Sequence, residues 1–432
     1  MLAVLALVCA AGRATAEEPA ATARPNELGF SAAGLQQITD TYQGYVDSGS
    51  LPGAVLLIAR GDRVVYFEAI GYRNRETRLA MTRDAIFRIA SMTKPIVSVA
   101  AMMLIEEGKL DLDSPVARYL PDFADPTVRV AQIDGEVGRV ATSSAPAYRP
   151  ISVRDLLRHT SGLDFGPFAN AIVARAYRDP EAAEHEQSLA ELVDGLARVP
   201  LRHQPGEVWE YSISVEVVGR LVEVASGMPL DRFIAERITG PLRMAATDFY
   251  VHPADLSRLA EFEKDRAGKQ PPVADATRRP GWLSGGGGLM SSASDYLRFC
   301  EMLLDKGTYR GARLLSRGAV RLMTENALPP TVEYAGGPAD LEDLAPTPEM
   351  DQGFGLGLAV RVTASHNPLP GAVGTFQWAG AFGTSFWVDP RENLIGVQML
   401  QVPTPQSGVF RRTFRTLAYG ALLPVNHAVA GR

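Results

Sequence analysis

A serine and a lysine separated by two residues are the feature of this sequence with the clearest chemistry. The tetrapeptide from Ser91 to Lys94 leads into an apolar stretch with helical spacing. A serine hydroxyl is a poor nucleophile at neutral pH and needs a base beside it. Residues i and i+3 at the start of a helix share one face, so the Lys94 amine can reach the Ser91 hydroxyl. The spacing therefore predicts a nucleophile at Ser91 with Lys94 as its proton acceptor.

The alternative for this pair is an ordinary surface serine and lysine on a helix. Two observations favour the catalytic interpretation. The chain has only five lysines, so a lysine at a fixed offset from a serine is less expected by chance. The segment Phe87-Arg88-Ile89-Ala90 precedes the pair, and an apolar helix follows it. The base must be a neutral amine, and burial together with a second positive neighbour would lower the pKa of Lys94 in that direction.

A tyrosine in the middle of the chain is the second candidate. Tyr211 follows a turn at Pro205 and Gly206 and precedes a helical pattern. A phenol can pass a proton between a serine and a leaving group. Considered alone, Tyr211 is better explained as a core aromatic with a satisfied hydroxyl.

The third candidate segment lies near the C-terminus, where Trp378, Ala379 and Gly380 end a strand pattern and Ala381 follows. Small residues at the end of a strand let a substrate lie against the backbone, which predicts a substrate pocket here. The N–H groups of Ala381 and Ser91 could then form an oxyanion hole. The alternative is a bulged edge strand with Gly380 at the kink.

In this order the three segments resemble the serine β-lactamase and penicillin-binding-protein superfamily, and most of all its family VIII carboxylesterases, which are relatives of class C β-lactamases. The segments from His159 to Leu163 and from Ser284 to Leu289 are further matches. The resemblance implies that Ser91 is the nucleophile, Lys94 its base and Tyr211 a proton relay. It leaves open which of Lys94 and Tyr211 takes the first proton.

Two departures from the β-lactamase pattern favour simple carboxylic esters as substrates. Most β-lactamases carry an amide side chain two residues after the tyrosine, where this chain has Ile213. They also carry a Lys-Thr-Gly triad where this chain has Trp378, Ala379 and Gly380. The missing lysine removes a cation that would bind a substrate carboxylate, and an indole would suit an apolar acyl or alcohol group. A β-lactamase, a D-alanyl-D-alanine peptidase, an acyltransferase and a non-catalytic binding protein of the same fold are the alternatives.

The elements that must position these residues form an α+β pattern. A helix is expected from Ser31 to Ser48, then a hairpin around Gly61 and Asp62, and strands recur between residues 358 and 400. Strands at both ends with helices between them predict one central antiparallel sheet flanked by helices, plus a mostly helical domain. We expect the α/β domain to comprise residues 17–110 and 281–432, and the helical domain residues 111–280.

The N-terminus has the pattern of a secretory signal. An apolar run of ten residues from Leu2 to Ala11 precedes a small-residue cleavage site at Ala16. The pattern predicts a signal peptide over residues 1–16 and export, most simply to the periplasm, with a cytoplasmic location as the alternative. This run and every later apolar stretch are too short to span a bilayer.

Composition and motifs exclude several functional classes. The net charge is −6 without a basic block, which argues against nucleic acid as a partner. The histidines and cysteines form no zinc-ligand pattern, and the four glycines from Gly285 to Gly288 are not accompanied by a phosphate-binding lysine. The sequence thus predicts a small-molecule ester as the partner, with no metal and no other cofactor. It indicates no particular oligomeric state.

Overall fold

The structure is a computed structural model that describes residues 23–133, 140–164, 187–263, 275–335, 341, 343–402 and 407–424. The strands are β1 Gly53–Arg60, β2 Arg63–Asn74, β3 Leu79–Ala80, β4 Ile86–Arg88, β5 Thr127–Ile133, β6 Val140–Pro146, β7 Val208–Trp209, β8 Met290–Ser292, β9 Thr308–Tyr309, β10 Ala312–Arg313, β11 Glu333–Tyr334, β12 Gln352–Phe354, β13 Ala359–Arg361, β14 Phe376–Ala379, β15 Ser385–Asp389 and β16 Leu394–Leu400.

The α-helices are α1 Ala32–Asp47, α2 Thr93–Glu106, α3 Val153–Leu157, α4 Leu189–Ala197, α5 Ser214–Ser226, α6 Leu230–Ile234, α7 Ala293–Leu304, α8 Arg317–Thr324 and α9 Ser407–Gly420. Short 3₁₀ turns occur at Pro25–Leu28, Ala90–Met92, Val116–Arg118, Pro121–Phe123, Pro253–Arg258 and Pro348–Met350, and a π turn spans Ala235–Thr239.

One antiparallel sheet joins the two ends of the chain. Its eight strands run in the order β12-β13-β14-β15-β16-β1-β2-β3, so β1 from the N-terminal part lies between β2 and the C-terminal β16. In register, Leu57 lies opposite Val397 on one side and Phe67 on the other. The sheet predicted from strand patterns at both ends is confirmed.

The central strand β1 is buried on both faces. Its side chains point alternately to the two sides of the sheet, and each side is covered by a hydrophobic core. Val55 and Leu57 face the large core that contains α2, while Ala54 and Leu56 face a smaller core formed with α1 and α9. Helix α1 begins at the expected residue, since the Ser31 side chain accepts a hydrogen bond from the Gly34 N–H at its N-terminus.

In the described parts of the middle of the chain, helices occur together with a hairpin. Helices α3 and α4 each start with a reciprocal capping box, formed by Ser152 with Asp155 and by Ser188 with Glu191. Between α2 and α3, strands β5 and β6 pair over seven residues. The mostly helical pattern expected for residues 111–280 does not include this hairpin, although Thr127-Val128-Arg129-Val130 carries a strand pattern.

The α+β class with a large antiparallel sheet is confirmed. Its division into domains at residues 110 and 281 stays a prediction. The signal peptide expected over residues 1–16 lies outside the described residues, and export stays a prediction too. Within the described ranges, every helix is too short or too polar to cross a membrane.

Candidate active site

A tight turn presents Ser91 before α2. Strand β4 pairs with β8, and the Ile89 N–H donates to the Leu289 carbonyl at 3.0 Å. The chain then turns through Ala90, which has a positive φ of 44° that residues with a side chain seldom adopt. Ser91 lies in the 3₁₀ turn, and the α-helix starts at Thr93, slightly later than the sequence indicated. The Met92 carbonyl is held by the Tyr296 hydroxyl at 2.9 Å, which fixes the turn from the core side.

The structure brings Ser91, Lys94 and Tyr211 into direct contact. Lys94 Nζ lies 3.2 Å from Ser91 Oγ, and the Tyr211 hydroxyl lies 2.6 Å from the same oxygen. The Lys94 side chain is only 3% exposed, and its Nζ also donates to the Gly286 carbonyl at 2.7 Å. An amine and a phenol thus converge on one serine hydroxyl, which is the geometry that proton removal from that hydroxyl requires.

The Tyr211 ring is enclosed by three side chains. Lys94 Nζ lies 4.8 Å from the ring centroid, His159 at 5.1 Å and Trp378 at 5.4 Å. The expectation that the Trp378 indole faces an acyl group in the pocket is wrong. Trp378 is 1% exposed and packs between Tyr211 and Phe354, because alternate residues of β14 point to opposite faces and Ala379 takes the cavity side.

A buried chain of polar groups holds the segment that carries Tyr211. The Ser212 N–H and hydroxyl lie 3.3 and 3.1 Å from His159 Nδ1. The chain continues from Ser212 to Ser214 and on to Ser161, with 2.7 Å between successive hydroxyl oxygens. Burial and the positive charge of Lys94 hold the pKa of His159 well below its usual value. His159 is therefore a neutral side chain that connects the loop at Ser161 to the loop at Tyr211.

The turn after β14 forms one side of a cavity in front of Ser91. Ala379, Gly380 and Ala381 line this cavity, which has a volume of about 330 Å³. Gly380 allows the turn to approach the chain before Ser91, since a Cβ there would lie 2.3 Å from the Ile89 carbonyl oxygen. The Gly380 N–H is used within the turn, donating to the Thr384 carbonyl at 2.8 Å. Ser91 and Ala381 line the same cavity, as an oxyanion hole from these two residues requires.

Glu216 is a site residue that the sequence did not single out. It lies in α5, is 2% exposed and lines the cavity. Its carboxylate accepts hydrogen bonds from a loop about 70 residues later in the chain, including the N–H of Gly286 at 3.0 Å. The signal in the sequence was its position five residues after Tyr211, in the first turn of the helix that follows that residue.

The remaining wall of the cavity is largely apolar. Ile213, Leu341, Leu344 and Phe382 line it together with Arg411. The Arg411 guanidinium is ion-paired with the buried Asp343 carboxylate, with Nε 2.8 Å from one carboxylate oxygen. Among the described residues, no group of three or more His, Cys, Asp or Glu side chains could hold a metal ion. The arrangement can accommodate an apolar group beside a hydroxyl that has two proton-transfer partners.

Comparison with protein families gives one match that covers most of the chain. The family model described as Beta-lactamase matches residues 38–420. An uncharacterized protein of Mycobacterium tuberculosis is 39% identical over 367 residues, which cover 82% of this chain and 87% of that protein. Esterase EstB of Burkholderia gladioli is 31% identical over 393 residues, which cover 86% of this chain and 91% of EstB.

Solved structures have the same fold. EstCE1, described as a hydrolase with promiscuous acyltransferase activity, superposes with a TM-score of 0.72 and 28% identity, covering 90% of this chain and 99% of EstCE1. Simvastatin synthase (LovD) from Aspergillus terreus superposes with a TM-score of 0.70 at 23% identity, covering 90% and 99% of the two chains, which supports the fold alone.

Proposed function

Since the chain is a serine hydrolase of the beta-lactamase family and, with its esterase relatives, of the family VIII carboxylesterases, we propose a specific reaction for it. The enzyme hydrolyses small carboxylic esters through an acyl-enzyme on Ser91. The observation that carries the proposal is the contact of Ser91 Oγ with both Lys94 Nζ and the Tyr211 hydroxyl at the wall of a cavity.

In the acylation step, Ser91 Oγ attacks the ester carbonyl carbon while its proton passes to the neutral Lys94 amine. The N–H groups of Ser91 and Ala381 would donate to the oxyanion of the tetrahedral intermediate. The Tyr211 hydroxyl then delivers a proton to the leaving alkoxide as the bond between carbon and the alkoxide oxygen breaks. The alcohol departs and the acyl group stays on Ser91.

In the deacylation step, a water molecule attacks the acyl-enzyme carbonyl. The Lys94 and Tyr211 pair accepts the proton of this water and returns one to Ser91 Oγ as the ester bond to the enzyme breaks. The products are a carboxylic acid and the free serine. Because the same groups act in both steps, loss of either should slow the whole cycle.

The cavity supports the choice of a small apolar acyl group. Its volume of about 330 Å³ is near the lower end for small-molecule pockets. Leu341, Leu344 and Phe382 supply an apolar wall, and the Arg411 cation is already paired with Asp343. A short-chain or single-ring acyl ester fits these properties better than an anionic β-lactam or a peptide carboxylate.

The proposal is tested by comparing kcat/KM for p-nitrophenyl butyrate, nitrocefin and a D-Ala-D-Ala peptide with purified enzyme. We expect p-nitrophenyl butyrate to exceed the other two by at least about 100-fold, which corresponds to about 2.7 kcal/mol in the transition state. Nitrocefin or the peptide as the better substrate would overturn the ester assignment. Addition of an alcohol should divert only a minor fraction of the acyl group to a new ester; transfer as the main reaction would make the protein an acyltransferase.

A further inference from the structure

Glu216 is a buried carboxylate whose hydrogen-bond donors are all neutral. Its Oε1 accepts from the Ser284 hydroxyl at 2.6 Å and the Gly286 N–H at 3.0 Å. Its Oε2 accepts from the Gly285 N–H at 2.9 Å and the Trp282 Nε1–H at 3.1 Å. Four donors from one loop thus converge on one side chain of α5, and this set suits an ionised carboxylate, which only accepts hydrogen bonds.

Gly286 connects this carboxylate to the base of the proposed reaction. Its N–H donates to Glu216 Oε1, and its carbonyl accepts from Lys94 Nζ at 2.7 Å. The fit is tight, since a Cβ at position 286 would lie 2.6 Å from Glu216 Oε1 and 3.6 Å from Lys94 Nζ. Displacement of Glu216 must therefore move the carbonyl that orients the amine.

The charge of Glu216 also acts on that amine. Burial raises the pKa of Glu216, whereas the hydrogen bond from Ser284 and the positive charge of Lys94 lower it. The interaction is mutual, because a buried negative charge and a positive charge near it attract each other. The residue three positions earlier, Ile213, offers no polar group where most β-lactamases carry an amide. Lys94 Nζ donates to Ser91 Oγ and to the Gly286 carbonyl, and the latter belongs to the loop that Glu216 holds.

We propose that Glu216 is a positioning residue for the ester hydrolysis proposed above, on which this inference rests. It fixes the loop from Trp282 to Gly286 so that the Gly286 carbonyl holds the Lys94 amine against Ser91. Its buried negative charge also acts electrostatically on that amine.

The test is Glu216→Gln, which keeps the size of the side chain and removes its charge. We expect kcat for p-nitrophenyl butyrate to fall by about 10- to 100-fold while KM changes by less than about 3-fold. Loss of the buried negative charge makes a positive charge at the proposed base less favourable. The acidic limb of the profile of kcat/KM against pH should therefore move to lower pH by about one unit. Glu216→Asp keeps the charge and should leave this limb in place although kcat falls.

Asp389→Asn is the matched control. Asp389 is also fully buried and held by neutral donors, namely the N–H groups of Ala372, Arg391 and Glu392 and the Tyr419 hydroxyl, at the opposite end of β15 from the cavity. This variant should lose thermal stability and keep the wild-type acidic limb. If Glu216→Gln lowered only Tm and left the limb unchanged, Glu216 would be merely structural and the inference would be overturned.

Two further measurements separate this inference from the proposed function. The rate at which a fluorophosphonate labels the wild-type enzyme tests the serine chemistry without any ester, and absence of labelling would count against the proposed function itself. With labelling intact, an unchanged labelling rate and acidic limb in Glu216→Gln would overturn the role of Glu216 alone.

If Glu216→Gln does not fold, Ser284→Ala is the alternative variant. It removes one hydrogen-bond donor to the Glu216 carboxylate and should lower kcat by about 3- to 10-fold. An unchanged kcat in Ser284→Ala would contradict the proposal.

Discussion

Two buried carboxylates near the middle of the chain are stabilised in opposite ways. Asp155 lies in the first turn of α3 and is fully buried, and it is ion-paired with Arg149 at 2.6 Å and with Arg158 at 3.0 Å. Glu216 at the cavity is nearly as buried and receives its hydrogen bonds from neutral groups only. We call the group of Arg149, Asp155 and Arg158 the arginine clamp.

The pKa values of the two groups follow from these partners. Burial alone would raise the pKa of Asp155, but hydrogen bonds from Arg149 and Ser152 lower it to about 2. The pKa of Glu216 is raised, with burial as the largest cause. The negative charge of Asp155 is neutralised by two arginines, and this carboxylate serves the stability of the fold. The negative charge of Glu216 has only neutral hydrogen-bond donors and can therefore act on the neighbouring Lys94 amine. The difference indicates which of the two buried charges belongs to the chemistry.

The largest expected effect is on the cavity side of this comparison. Lys94→Ala should lower kcat for ester hydrolysis by at least about 1,000-fold, because lysine and serine act as a unit. The Tm of this variant should change little. The measurement is steady-state kinetics together with a thermal melt of the same preparation. Near-normal turnover in Lys94→Ala would show that another group is the base.

On the clamp side, the larger effect should be on stability. Asp155→Asn leaves Arg149 and Arg158 without their shared carboxylate and should lower the free energy of unfolding by about 3 kcal/mol at pH 7. Chemical denaturation measures this value, and kcat of the folded variant at 25 °C should stay within about 3-fold of wild type. A variant that kept its stability but lost kcat would reverse the roles given to the two carboxylates.

The pH dependence of the clamp sharpens the same contrast. The folded pKa of Asp155, about 2, lies below its unfolded value of 3.8. Its contribution to stability is therefore present above pH 3.8 and is lost as the pH falls towards 2, and the shift corresponds to about 2 kcal/mol. The difference in unfolding free energy between wild type and Asp155→Asn should shrink over this window. A difference that stayed constant from pH 7 to pH 3 would contradict the ion-pair account.

The smallest expected effect concerns His159, which lies between the two regions. Its folded pKa is below its unfolded value of 6.5, so the unfolded chain binds more protons and stability falls as the pH drops below about 6.5. The slope for one proton is about 1.4 kcal/mol per pH unit. His159→Gln should remove this part of the dependence when unfolding is compared at pH 7 and pH 5.5. An equal slope in the variant would mean that His159 is not buried as a neutral ring.

The sequence predicted the parts of this molecule that are set locally. The spacing of Ser91 and Lys94 fixes their contact within one helical turn, and short apolar runs separated by turn residues indicated the strands of the sheet. The sequence did not predict Glu216, because its partners at Ser284 to Gly286 come from a distant segment that only the fold brings close. The prediction that the Trp378 side chain faces the cavity was also wrong. Adjacent residues of a strand point to opposite faces, so the side chain that faces the cavity is that of Ala379.

The most direct test of the account is to label the enzyme with a fluorophosphonate and map the modified peptide by mass spectrometry. We expect one equivalent of label on Ser91, no label in Ser91→Ala, and loss of ester hydrolysis in that variant with its Tm retained. Label on a different residue, or Ser91→Ala that still reacts and still turns over ester, would contradict the assignment of Ser91 as the nucleophile.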